Sequence, residues 1–70
     1  MKYVGAKQVL KSIHENKVKK VYIAKDADKN ITEEIINICK EKNLPVVFVE
    51  TMVELGKMAA IDVKTSSYAE

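Results

Sequence analysis

Two short apolar runs decide what this chain can become. VKKVYIA at 18–24 ends in β-branched and aromatic residues, and VVFVE at 46–50 has the same character. Both runs are too short for a stable helix and are bounded by polar or turn-forming residues. Both therefore read as buried strands. Between them KDADKN is polar and turn-like, and Asn30 with Glu33 makes an N-x-x-E start signal resembling a capping box. Ile31, Ile35, Ile38 and Cys39 then fall near one face of a helix predicted to end about residue 42. Asn43 reads as its stop, and Pro45 blocks continuation. A strand, a helix and a second strand at this spacing form the unit of parallel pairing.

Helical periodicity recurs on either side of this unit. Over residues 5–15, Ala6, Val9, Leu10 and Ile13 share one arc and predict a core face. Lys7, Lys11 and His14 form a stripe opposite, with Gln8 beside it. Thr51 and Glu54 make a T-x-x-E box ahead of a third helix, predicted over 52–59 and burying Leu55, Met58 and Ala59. AIDVKTSS follows as a loop, and SSYAE reads as a short last strand. The predicted architecture is α/β: a three-layer α/β/α sandwich with a small mixed sheet, in the order α-β-α-β-α-β.

Length restricts this chain to one domain, residues 1–70, near the lower limit for a self-sufficient core. The single cysteine, Cys39, excludes an internal disulfide and a cysteine-built zinc cluster. No apolar run has signal-peptide character, and none approaches the ~20 residues that cross a bilayer. The expectation is a cytoplasmic protein with no membrane partner.

Charge is unevenly spread. Residues 1–30 hold eight lysines and three acids, giving +5, while residues 31–70 hold four lysines and seven acids, giving −3. A basic half suits an anionic partner, and a well-solvated surface gives the same numbers. Every basic residue is lysine, so any phosphate contact relies on point charges rather than planar forks.

Catalytic chemistry finds little support. His14 has no ligand or nucleophile at useful spacing and reads as a surface residue. Asp26 and Asp28 follow a strand, where a divalent cation or phosphoryl group could sit, yet Lys25 and Lys29 bracket them. Side-chain capping of a turn is the simpler reading. Cys39 lies on an apolar helix face and reads as a core thiol. With two glycines, Gly5 and Gly56, no dinucleotide or P-loop fingerprint exists. No metal or cofactor is expected, and the chain reads as a non-enzyme.

Two segments point to binding instead. In GAKQVLK (5–11), Lys7 and Lys11 sit at the start of a helix, an end that is already electropositive. There they oppose the helix dipole, unless phosphates or electronegative base edges lie nearby. Gly5 allows close backbone approach, and Gln8 both donates and accepts, as base-edge reading requires. The loop AIDVK (60–64) carries Ile61 and Val63 outside any periodic element. Such residues mark a contact surface or tuck under the sheet.

GAKQVLKSI, VYIAKDAD, LPVVFV and ELGKMAAIDVKTSS, in this order and spacing, together resemble the kink-turn-binding ribosomal-protein family. That family includes archaeal and eukaryotic proteins of large ribosomal subunits and box C/D guide-RNA particles, with short bacterial members. The resemblance covers nearly the whole chain. The family pattern G-x-N-E-x-x-K contacts sheared G·A pairs beside an RNA kink, and by position this implies RNA-binding roles for Gly5, Ala6, Lys7, Gln8 and Lys11. Lys7 stands where the family has asparagine, and Gln8 where it has glutamate. Lys25, after the first strand, joins them. The family's late loop covers bulge bases, which implies the same for Ile61, Asp62, Val63 and Lys64. Ala60 replaces a frequent glycine, and Lys64-Thr65 a frequent proline-alanine pair. A final apolar strand and an archaeal N-terminal helix have no counterpart, so a minimal version is expected.

The resemblance implies a monomer that binds structured RNA at a kink-turn in the ribosome or another ribonucleoprotein. It would hold the RNA kinked. The rival reading is a small protein-interaction module using the 60–64 loop.

Overall fold

The computed structural model describes residues 2–70. Four strands and three helices alternate strictly: β1 (Tyr3–Val4), α1 (Ala6–His14), β2 (Val21–Ala24), α2 (Lys29–Glu41), β3 (Val46–Val49), α3 (Met52–Met58) and β4 (Ser67–Ala69). The sheet order is β1-β4-β2-β3. β2 and β3 are parallel, with Ile23 opposite Phe48, whereas β4 is antiparallel to both β1 and β2. The predicted parallel unit is therefore present, inside a mixed sheet.

Two cores flank the sheet. On one face Val9 and Ile13 of α1 and Ile35 and Cys39 of α2 close over Val21, Ile23 and Ala69. On the other, Leu55 and Ala59 pack with Ala24, Ala27 and Tyr68. Helices α1 and α2 thus cover one face and α3 the other, as the three-layer expectation required. Tyr22 and Tyr68 stack with centroids 5.4 Å apart, and both hydroxyls donate to the Glu70 carboxylate, at 3.0 and 2.9 Å. These bonds, Tyr68's first and then Tyr22's, hold the Glu70 carboxyl below the usual range.

Several elements differ from expectation. The chain opens with β1, so the order is β-α-β-α-β-α-β; two residues are too few to show a period. β2 starts at Val21, after Lys19 and Lys20 have donated their amides to the Glu70 carbonyl. α2 starts at Lys29, and its cap is Asp28 rather than Asn30: Asp28 Oδ1 accepts from the Asn30 amide at 2.9 Å. The buried line of α2 is Thr32, Ile35 and Cys39, which leaves Ile31 to the side and exposed. Thr51 caps α3 as predicted, its Oγ1 accepting from Glu54 N at 3.1 Å. Met58 points away from the line of Leu55 and Ala59 and is exposed. β3 is an edge strand rather than a buried one, with Phe48 half exposed. The last strand, which looked marginal, lies in the interior of the sheet with all three residues buried.

Candidate nucleic-acid interface

Gly5 is the N-cap of α1, with φ 91° and ψ 151°, a left-handed conformation that only glycine adopts without strain. A Cβ there would meet nothing within 4 Å, so conformation rather than crowding demands the glycine. Among the described residues no side chain caps α1, and no acid sits in its first turn. The amides of Ala6, Lys7 and Gln8 have no acceptors within the helix, and Lys7 and Gln8 are exposed above them. Ala6 is half-buried at the edge of the core. Lys11 is exposed one turn on; α1 is only nine residues long, so Lys11 falls in its last turn, where the helix dipole favours a cation instead of opposing it as expected.

The Ser67 carbonyl ties this helix start to the late loop. It accepts from the Gly5 amide at 3.0 Å and from the Thr65 hydroxyl at 3.0 Å. Thr65 N in turn donates to Met52 O at 3.2 Å, and Ala24 N to Ser66 O at 3.0 Å. The start of α1, the end of β2 and the end of the loop are thereby joined at one end of the sheet.

The loop itself rests on α3. Gly56 is buried, and a Cβ there would collide with the Val63 carbonyl. Ala60 reverses the chain at φ 59°, and Ile61 N closes the turn on Gly56 O at 3.0 Å. Ile61 is half-buried against the α3 core, whereas Val63 is 68% exposed. The two loop residues therefore divide: one anchors and the other projects. Asp62 and Lys64 are exposed beside them. Val53 and Lys57 of α3 complete a groove of about 280 Å³ with residues 61–64. Sequence reading missed both; the available signal was Val53, an apolar residue off the buried face of a short helix.

The remaining candidates are accounted for locally. Lys25 is at the same end of the sheet, with its Nζ 2.9 Å from Glu50 Oε1. Asp28 makes the local side-chain-to-backbone bond read for the turn, whereas Asp26 reaches out of it, its Oδ1 accepting from the Met52 amide at 2.8 Å at the start of α3. Cys39 is fully buried, and burial pushes its thiol up. His14 is exposed in the last turn of α1. Among the described residues no cluster of three or more His, Cys, Asp or Glu could hold a metal ion. No helix among them is long and apolar enough to cross a membrane.

A layered α/β/α domain with an uncapped glycine-led helix beside an apolar loop defines a recognisable class. The chain belongs to the ribosomal protein L7Ae/L30e/S12e/Gadd45 family, whose model matches residues 3–70. An RNA-binding protein of Caldanaerobacter subterraneus is 46% identical over 67 residues, covering 96% of this chain and 82% of its own. The 15.5kD RNA binding protein of Giardia lamblia superposes with a TM-score of 0.89 at 30% identity, over 97% of this chain and 57% of that one. A Bacillus halodurans protein of unknown function shares the fold, with a TM-score of 0.87 at 20% identity, over 97% of this chain and 68% of its own. The resemblance read from the sequence is thus to the family the chain belongs to. The family is described by its ribosomal proteins, and the Caldanaerobacter and Giardia relatives are named as RNA-binding proteins.

Proposed function

We propose that this chain binds structured RNA at a kink-turn and holds the kinked conformation. The names of its relatives support RNA as the ligand. The observation that carries the reading is the Ser67 carbonyl, which fixes the open start of α1 beside the loop bearing Val63. In this reading the unpaired amides and Gln8 meet the edges of sheared G·A pairs. Lys7, Lys11, Lys25 and Lys64 meet phosphates, and Ile61 and Val63 cover unstacked bulge bases. Binding only the kinked form shifts a population that free RNA already samples. The whole of residues 1–70 acts as one RNA-binding domain, in a ribosomal or other ribonucleoprotein setting.

The test is titration into a labelled kink-turn duplex, a plain duplex of equal length, and a kink-turn whose G·A pairs are replaced by Watson–Crick pairs. The expected result is preference for the first alone. Equal affinity for all three overturns the reading. Weak binding with a flat salt response would favour the protein-interaction alternative.

A further inference from the structure

The edge of the sheet remote from α1's open end is unprotected. Among the described residues β3 has only β2 as a neighbour. Its residues Val46–Val49 include no charge, and Phe48 and Val47 are 52% and 37% exposed. Natural edge strands are normally blunted by charge, bulges or a covering segment, because their outward backbone groups recruit another strand.

We propose that β3 docks a second copy of this chain, paired antiparallel about a two-fold axis at Phe48. The hydrogen bonds to β2 fix which backbone groups are available. Val21 N donates to Pro45 O and Lys25 N to Val49 O, so residues 45, 47 and 49 face inward. Val46, Phe48 and Glu50 therefore face outward. Pro45 has no N–H to give, but that position faces β2, so the outward set is intact. Around a two-fold axis Phe48 meets Phe48 of the second copy, and Val46 meets Glu50. All three outward residues find partners, and the set closes on itself as an isologous interface must.

Side chains on the same face agree with this occupant. Lys25, Lys29, Thr32, Glu33, Ile36 and Phe48 are among the residues lining a groove of about 330 Å³ between α2 and the edge. Lys40, one turn beyond Ile36, continues the α2 stripe and is exposed. A two-fold axis perpendicular to the sheet brings the two α2 helices together antiparallel on one face. The stripe Glu33–Ile36–Lys40 then meets its own reverse, with Glu33 opposite Lys40 and the isoleucines near the axis. A stripe of one sign would repel its copy; this one is self-complementary. The Phe48 rings close over the two grooves. The start of α1 follows β1, the opposite edge; of the RNA candidates only Lys25 reaches this groove, and the pairing makes no use of it, so this inference does not rest on the RNA reading.

A four-residue edge gives a small interface, so association is expected to be weak and concentration-dependent. Sedimentation velocity on the RNA-free protein, from micromolar to millimolar, is expected to show the mass rising from one chain to two. Phe48→Lys is expected to hold the one-chain mass at every concentration, with the melting temperature lowered by a few degrees because the ring is half buried. Glu33→Lys and Lys40→Glu, both at exposed positions, should each weaken association about fivefold, and the double reversal should restore it. A one-chain mass at every concentration overturns the proposal, as does a double reversal no tighter than the single ones. Should Phe48→Lys fail to fold, the charge reversals decide alone.

Discussion

Ala60 holds φ 59° without being glycine, a conformation that costs an L-residue about 1–2 kcal/mol. The strain is held by its neighbours, and chiefly by Ile61, whose side chain packs on the Leu55 core while its amide bonds Gly56. Val63 has no such duty at 68% exposure. Ile61→Ala is therefore expected to cost about 2 kcal/mol, at the low end for a partly buried isoleucine, and to lower the melting temperature by several degrees. Val63→Ala should change stability by less than about 0.5 kcal/mol. Kink-turn binding should fall for both, and plain-duplex binding for neither. Paired melting and binding curves check this. A Val63→Ala protein that melts like Ile61→Ala, with RNA binding intact, would assign both residues to the core.

At the scale of elements, Gly56 couples α3 to the loop. Glycine in a helix interior is unfavourable by about 1 kcal/mol relative to alanine, so helix propensity alone favours Gly56→Ala. The added Cβ would meet backbone, the Val63 carbonyl, which cannot swing aside as a flexible side chain does. The clash should win: a net loss of about 1–3 kcal/mol, with the loop displaced and kink-turn binding reduced. A melting temperature that rises, with unchanged binding, would show that the loop is not held by this contact. No periodicity reveals such a site, because what matters is the approach of a loop from elsewhere in the chain. Periodicity did reveal the three helices, as Val9 and Ile13 or Leu55 and Ala59 recur on buried arcs. It failed where position within the sheet decides burial. VVFV reads as buried on both faces, yet the sheet ends there; SSYAE reads as marginal, yet Ser67, Tyr68 and Ala69 are buried because β1 and β2 pair on either side. Asp28 lost out to Asn30 in the sequence because both make good caps, and only the path of the turn selects one. In the site, Lys7 was legible as a residue that opposes its helix, Gln8 as a side chain that both donates and accepts, and Val63 as an apolar loop residue; Lys11 was misplaced, since α1 ends at His14 and puts it in the last turn. Lys57 was hidden, since its relevance depends on the loop folding back over α3, and Val53 left only the trace of an apolar residue off the buried face.

For the molecule as a whole, the basic half of the sequence is divided between the two ends of the sheet, Lys19 and Lys20 before β2 and Lys25 after it, and at the second end Glu50 is informative. Two of the three acids in the basic half are occupied at this end of the sheet, Asp26 at the start of α3 and Asp28 at the start of α2. The acid that offsets a candidate phosphate contact directly comes from the acidic half: Glu50 lies 2.9 Å from Lys25, both exposed. An exposed pair of this kind contributes about 0–1 kcal/mol to folding, so removing its acid leaves the fold nearly untouched. It also removes a negative charge that repels RNA and competes for the lysine. Glu50→Gln is therefore expected to tighten kink-turn binding while the melting temperature stays nearly constant. If Lys25 gains a full phosphate contact, the plot of log affinity against log salt should steepen by about 0.7–0.9, the release of one further counterion. The steepening should vanish in the Lys25→Ala, Glu50→Gln double variant, because a general change in field would survive the loss of Lys25 whereas a contact made by it would not. Binding curves at several salt concentrations measure this directly. An unchanged affinity and slope for Glu50→Gln would take Lys25 out of the interface and confine RNA contact to the start of α1 and the loop beside it.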